Sequence, residues 1–451
     1  MTEITLEEQI LDRIKPGPDE KKKLEEVATE LLEKVSISAR ILGISDITPK
    51  LVGSAARDTW ISGTHDLDIF ISFPEDTSRE DLENNGLLIA RKVAKEGENI
   101  EERYAEHPYL NMQYGGFDVD LVPCYSVESA SEIISAVDRT PFHNEFIKMV
   151  IPGREDDVLI MKQFMKGTGT YGSELRTQGF SGYLTELLVV HYGSFRNTLR
   201  NACDWKPGLS IDMLEHGTIK HNDPLVVIDP TDPKRNVAAA LSLNQFARFI
   251  DAARAYSEKP TEDFFFPKQK EAMTDNEIID MITSRRSSFV AISFRPPDLV
   301  DDILYPQLDK MEHSIRALFE EYEFYVLNSG YWVNEEAIIL IELATSQLPL
   351  VKKHRGPPVW AHTHAKGFKD KYLGSDELFS LYIEDGFYVA DIKRKFTTAK
   401  ELLEGRIQHC SLGKHLGKTI GLGFSIVENT DIARVNDPGF RKFLRKWEQG
   451  K

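Results

Sequence analysis

The chain is short of cysteine. Its 451 residues hold three, Cys124, Cys203 and Cys410, with no paired spacing. That excludes a disulfide framework and a cysteine-built zinc knuckle, and it fits a reducing cytoplasm. Long apolar runs are missing too. None approaches the ~20 residues needed to span a bilayer, and the N-terminal MTEITLEEQILDRIKP is acidic and polar, unlike a secretory signal. No low-complexity segment and no fixed-period repeat is evident. Positive charge is also scarce: 55 Lys and Arg face 72 Asp and Glu, a net charge of −17. A uniformly basic surface for a polyanion is therefore excluded. What remains is an ordinary globular composition, 41% apolar and 28% charged, long enough for about three domains of ~150 residues.

The charge is unevenly placed. Acid gathers in 7–33, 75–106 and 298–323, whereas 349–373 and 392–418 each carry a net charge of +5. A polyanion can therefore dock on the C-terminal third while the rest stays soluble. From charge alone, two solvated faces without a special purpose is the more economical reading.

The most informative stretch is Leu51 to Phe73, LVGSAARDTWISGTHDLDIFISF. It reads as a short strand, a turn at Gly53-Ser54, a helical turn, a turn at Gly63-Thr64 and a strong strand. In that strand Asp66 and Asp68 share one face, while Leu67, Ile69, Ile71 and Phe73 share the other. Two neighbouring carboxylates repel, and folding gains nothing from them, so a cation is the expected compensation. Residues 117–122, FDVDLV, repeat the pattern with Asp118 and Asp120. If the two strands are neighbours, Asp66, Asp68 and one of the later pair form a hard oxygen site suited to Mg²⁺, shared with a triphosphate.

Along the chain, helical spacing of Leu24, Val27, Leu31 and Val35 predicts a helix over 19–42, and Thr77 to Glu80 a capping box opening a helix to about 96. Strands are expected at 109–114 and 117–125. Residues 1–141 then form one α/β domain. Residues 142–256 read as helical, with helices at 155–171, 179–195 and 236–256, the last after the turn-rich DPTDPKR. From 257 to 451 the texture is α+β. Strands are expected at 263–267, 288–294, 322–327, 337–343, within 373–393 and at 421–428; helices are expected at 306–321, 397–405 and 438–447, with a loop at 354–368.

Gly-Ser, eleven intervening residues, then Asp-Leu-Asp-Ile, with a distant Asp on a later strand, resembles the signature of the DNA polymerase β-like nucleotidyltransferase superfamily. Asp138-Arg139-Thr140-Pro141-Phe142-His143, Lys162 with Tyr171 nine residues on, GFSGYLTELL at 179–188 and DPTDPKRN at 229–236 resemble the archaeal-type, class I CCA-adding enzymes over essentially the whole chain. The arginine-arginine-aspartate and EDxxR motifs of class II enzymes are not seen.

The resemblance implies a multidomain α+β protein: a catalytic head at 1–141, a helical neck at 142–256 for the nucleotide and the tRNA end, and a body at 257–451 with a tail at about 310–380. It implies template-independent addition of C, C and A to the tRNA 3′ end from CTP and ATP. It also implies two Mg²⁺ ions on Asp66, Asp68 and Asp120, with Asp118 the lesser alternative. Ser54 and Arg57 follow the Gly53 turn, whose backbone amides can face a nucleotide's phosphate; by the resemblance His143, Lys162 and Tyr171 hold the triphosphate and sugar and Arg235 reads the base edge. Arg355 and Lys366 are expected on tRNA phosphate with Trp360 or Phe368 against sugar or base, a plain surface loop being the alternative, and Arg285 and Arg286 are further phosphate candidates. A metal cluster at His354, His362 and His364 is disfavoured, because no cysteine or carboxylate stands nearby. A poly(A)-type polymerase and a non-catalytic RNA-binding scaffold are the competing readings. The oligomeric state is open, a homodimer included.

Overall fold

The computed structural model describes residues 4–104, 106–130 and 132–450. The chain divides into two compact units, one ending at Lys268 and the other starting at Gln269.

The first unit begins with helix α1 (Leu6–Ile14), closed by a Thr5/Glu8 capping box that the sequence reading had not picked out as a helix start. Helix α2 (Pro18–Ile41) opens on proline and turns Leu24, Val27, Leu31 and Val35 inward, as their spacing predicts. There follow β1 (Thr48–Val52), β2 (Asp66–Pro74), α3 (Arg79–Val93), β3 (Glu98–Tyr104), β4 (Pro108–Tyr114) and β5 (Phe117–Ser126). Ser78 rather than Thr77 caps α3, accepting from the Asp81 N–H. The sheet order is β1-β2-β5-β4-β3, and β2 and β5 run parallel while the other pairs are antiparallel. Leu67, Ile69 and Ile71 of β2 and Val119 and Leu121 of β5 pack with Leu31 and Val35 of α2 and Leu82 and Ile89 of α3 in one core. Burying that face leaves the aspartates on the other.

The unit continues with α4 (Arg139–Val150), α5 (Glu155–Thr168), α6 (Gly182–Tyr192), α7 (Phe195–Ala202), β6 (Leu209–Ile211), β7 (Leu225–Asp229), β8 (Asp232–Asn236) and α8 (Leu243–Glu258). Its core is aromatic, built on Phe164, Phe180, Phe195, Phe246 and Phe249, and Ile10 and Ile14 of α1 belong to it. The expected all-helical stretch is therefore corrected twice. A three-stranded sheet, β6-β7-β8, is set among the helices. The helix expected from 236 starts at Leu243 behind the Ser242 cap. Residues 232–236 instead pair antiparallel with β7. Pro233 is tolerated there because β8 is the edge strand. Residues 263–267, expected as a strand, hold a 3₁₀ turn at Glu262–Phe264. Phe265 is buried against Phe164 and Phe195, with Phe264 partly buried beside them, so packing rather than strand pairing shapes the run.

The second unit contains α9 (Asp275–Arg285), β9 (Ser288–Phe294), α10 (Asp301–Glu321), β10 (Val326–Val333), β11 (Ala337–Leu343), β12 (Val351–Pro358), α11 (His362–Tyr372), β13 (Leu378–Glu384), β14 (Phe387–Lys393), α12 (Ala399–Arg406), α13 (Leu416–Leu422), β15 (Ser425–Glu428) and α14 (Pro438–Glu448). A sheet ordered β10-β11-β9-β15 forms its centre. One face packs on residues of α10, α12 and α13, the other on α9 and α14. The expected loop at 354–368 is corrected: it holds the end of β12, which forms a separate three-stranded sheet with β14 and β13, and the first part of α11, which packs on that sheet. Alternating charges and a Gly-Pro-Pro end hid β12, which is an edge strand. The tail expected at about 310–380 straddles two cores, since Met311, Ile315 and Phe319 of α10 pack under the central sheet while the separate sheet spans 351–393. The strand expected from Tyr322 starts at Val326, because Tyr322 is the C-cap of α10. In 421–428 only Ser425–Glu428 is strand, since α13 runs to Leu422 and Gly423 ends it.

Candidate active site

The parallel pairing of β2 and β5 sets Asp66 opposite Asp118 and Asp68 opposite Asp120. Four carboxylates thus share one face at one end of two neighbouring strands, and Asn111, opposite Asp120 on β4, joins them. Its amide donates to Asp118 Oδ1 at 2.5 Å and to Asp120 Oδ1 at 2.8 Å. Gly53 closes the other side with φ +76, and a Cβ there would lie 2.0 Å from Asp68 Oδ2. The turn after β1 thus needs glycine both for its left-handed backbone and for space.

Among the described residues none of the four aspartates forms an ion pair. Burial, then the charges of Asp120 and Asp66, push the Asp68 carboxyl up to about 7. Asp66 is raised by burial and by Asp118; Asp120 is raised by burial, against the hydrogen bond from Asn111. Carboxylates held this way disfavour their own charge until a cation arrives. The donor set is all hard oxygen, which fits Mg²⁺. Among the described residues no group of three or more His, Cys, Asp or Glu side chains is gathered as a ready metal cage. Magnesium favours such a place, because it keeps waters and substrate phosphates in its shell.

Behind the glycine turn lies a buried ion cluster. Arg57 pairs with Glu186 at 3.0 Å and reaches Asn144 at 3.3 Å. The Lys162 ammonium donates to the Thr59 carbonyl at 2.8 Å, to Thr59 Oγ1 at 3.2 Å and to Glu186 at 3.3 Å. All three side-chain charges are buried, with Glu186 fully so. Two cations share one carboxylate, leaving one positive charge over. Lys162 therefore faces inward here, all three of its protons taken. Tyr171 stands beside it, and Gly182 leaves room for the phenol: a Cβ there would lie 3.1 Å from the tyrosine hydroxyl. Ser54 starts the 3₁₀ turn after Gly53 and makes no capping bond with its side chain.

His143 and Arg235 meet elsewhere in this unit, on Asp229. His143 Nε2 lies 2.8 Å from Asp229 Oδ2, and Arg235 donates to the same oxygen at 2.8 Å. In the second unit Arg285 is committed to the buried Glu342 through two bonds of 2.7 and 3.0 Å, which gives it a structural partner in place of phosphate. Arg286 is exposed in a left-handed conformation at the end of α9. Arg355, on β12, lies 4.0 Å over the Phe387 ring, and Lys366 is exposed on α11.

The sequence reading missed Asn111, Glu186, Asp229 and Lys166. Asn111 is a polar residue amid the apolar positions of a strand, and Glu186 a carboxylate in a mostly apolar helix. Both were readable signals, since such groups are buried only with partners. Lys166 falls one turn after Lys162, and its charge acts on Asp66. Asp229 carried no local signal, because DPTDP reads as turn.

Residues 24–143 match the family described as nucleotidyltransferase domain, residues 156–266 the tRNA nucleotidyltransferase second domain and residues 285–429 the CCA-adding enzyme C-terminal domain. The CCA-adding enzyme of Methanosarcina acetivorans is 56% identical over 439 residues, covering 97% of each chain. That of Methanoregula boonei is 40% identical, covering 97% of this chain and 94% of its own. A solved structure of the Cid1 poly(U) polymerase aligns with TM-score 0.46 and 12% identity, over 57% of this chain and 96% of that one. With identities this high over nearly full length, the chain belongs to the archaeal-type CCA-adding enzymes.

Proposed function

We propose that the chain completes tRNA 3′ ends, adding C, C and A from CTP and ATP without a nucleic-acid template and releasing pyrophosphate. The observation that carries this is the register that sets Asp66 and Asp68 against Asp118 and Asp120 on adjacent parallel strands. Membership of the CCA-adding enzymes supplies the product.

Asp66, Asp68 and Asp120 would hold two magnesium ions. Bound there, the ions lower the pKa of the terminal 3′-hydroxyl and neutralise the triphosphate oxygens. The protein's own part is to bind and orient. The Gly53 turn brings backbone close to Asp68, and Ser54 lies beside it with its hydroxyl available for a phosphate. The surplus positive charge of Arg57 and Lys162 over Glu186 attracts the triphosphate, with Lys166 and Tyr171 flanking it. His143 and Arg235 contact sugar and base. Asn111 donates to both Asp118 and Asp120 and so fixes the pose in which Asp120 would hold its ion. In the body, Arg286, Arg355 and Lys366 touch phosphates of tRNA. Residues up to 141 act as head, 142–256 as neck, and the body carries the tail as the 351–393 sheet. The work is cytoplasmic, consistent with three unbridged cysteines.

Purified protein with tRNA ending at the discriminator base, CTP, ATP and Mg²⁺ tests the reading on a sequencing gel. Extension stops after three nucleotides. Long A-tails would identify a poly(A)-type enzyme instead, and no metal-dependent incorporation of labelled CTP would leave a scaffold. Asp120→Ala abolishes incorporation while tRNA binding persists; near-normal turnover in that variant removes Asp120 from the mechanism.

A further inference from the structure

Asp229 ends β7, and the hairpin to β8 returns Arg235 alongside it. The Asp229 side chain is wholly buried, yet it is surrounded by donors. Oδ2 accepts from Arg235 at 2.8 Å and from His143 Nε2 at 2.8 Å. Oδ1 accepts from the Tyr183 hydroxyl at 3.2 Å, from the Thr231 N–H at 2.9 Å and from the Thr231 hydroxyl at 2.8 Å. A carboxylate offers about four lone-pair sites, so these five donors saturate it and none is left for a ligand. The carboxylate gathers α4, α6 and the β7–β8 hairpin at one point.

We propose that Asp229 is a positioning residue for nucleotide selection, locking Arg235 and His143 into one recognition unit. The proposal rests on the reading that Arg235 and His143 contact the nucleotide. One terminal nitrogen of the guanidinium is pinned on Asp229, and the Arg235 side chain remains 33% exposed. One end of the guanidinium is thereby held, while among the described residues no hydrogen bond engages Nε or the other terminal nitrogen. The carboxylate also keeps the proton of His143 on Nε2, which leaves Nδ1 as an acceptor. Tyr183 stacks on that imidazole at 4.0 Å and 17°, so the ring plane is fixed as well. Cytosine and adenine both present a ring-nitrogen acceptor on the pairing edge, where uracil and guanine carry N–H. Donors anchored at one end favour the first pair and repel the second, and donors free to swing lose that contrast.

The experiment is steady-state incorporation of CTP and UTP into tRNA ending at the discriminator base, in the wild type and in Asp229→Asn, Arg235→Ala, the double variant and Tyr183→Phe. The readout is the ratio of kcat/KM for CTP over UTP. In Asp229→Asn the ratio falls about tenfold or more, on the scale of one lost charge-assisted hydrogen bond, mainly through a raised KM for CTP. Arg235→Ala falls at least as far, and the double variant falls no further than Arg235→Ala, because the two substitutions act through one contact. A drop in Arg235→Ala with an unchanged ratio in Asp229→Asn overturns the positioning role. An unchanged ratio in Arg235→Ala removes base reading by Arg235, and the proposal with it. If Asp229→Asn does not fold, Tyr183→Phe decides. It removes one bond to Oδ1 and keeps the stacked ring, so a smaller shift in the same direction supports the proposal and no shift overturns it.

Discussion

An alanine at position 53 has nowhere to put its methyl group. The backbone there has φ +76, and the added carbon would meet the Asp68 carboxylate at 2.0 Å. Gly53→Ala therefore both displaces the carboxylate and strains the left-handed turn. Incorporation of CTP in single-turnover experiments is expected to fall about a hundredfold, the usual scale for a misplacement of one ångström, with tRNA affinity kept. A near-wild-type rate would show that Asp68 need not stand where it does. Asp68 also gives a pH prediction. Its folded-state carboxyl is raised to about 7 by burial and by Asp120 and Asp66. A raised carboxyl stabilises the metal-free protein while protonated, so that contribution is complete below the ordinary carboxylate range and is lost as pH rises through about 7. A bound cation favours the charged form instead. The increase in Tm on adding Mg²⁺ is therefore larger at pH 8 than at pH 6, as thermal melts with and without chelator would show; an equal increase at both would mean that Asp68 is ionised throughout. At this scale the sequence was legible wherever chemistry and alternation coincided, as in Asp66, Asp68 and Asp120. It was opaque at Asp229: Thr231 and Arg235 are near it in sequence, but His143 and Tyr183 stand on helices that only the fold brings to it.

At the level of elements, strands with one apolar face declared themselves, because period-two patterning survives when a single face is buried. β2 and β5 are such cases; β11, buried on both faces, shows instead as a nearly continuous apolar run. β12 was hidden because Lys352, Lys353 and Arg355 occupy an exposed edge strand, and edge strands carry charge for reasons unrelated to pairing. β8 was hidden by Pro233, which an edge strand tolerates. Arg285 belongs here too, since it ties α9 to β11. Glu342 is 1% exposed and accepts from Arg285, from Ser287 at 2.6 Å and from the Trp447 indole at 3.3 Å. Arg285→Ala is expected to cost about 1–3 kcal/mol, moderated by solvent at the arginine and by the two remaining donors. It should leave tRNA affinity unchanged, with chemical denaturation and gel-shift titration as the measurements. A loss of affinity without a loss of stability would return Arg285 to the phosphate contacts.

Over the whole molecule, the division at Lys268 and Gln269 separates the carboxylates from both basic stretches. Residues 1–268 alone are expected to unfold in a single cooperative transition and to bind CTP with Mg²⁺, but to lose most affinity for tRNA. In the full chain that affinity should weaken steeply with salt, as phosphate contacts require. Undiminished tRNA binding by 1–268 would move the RNA site into the first unit. Composition anticipated two basic stretches in the C-terminal third. It could not show that α1 packs in the aromatic core with α5 and α8, because that contact joins residues some 150 to 250 positions apart.

The pairing of β2 with β5 has one more consequence. Shifting β5 by a single residue would turn Val119 and Leu121 toward water and push two acids against Ile69 and Leu31. The slipped chain would lose its interior and its chemistry together. Fidelity of assembly is therefore enforced by solvent itself: a molecule wrong at these strands cannot persist long enough to extend any RNA.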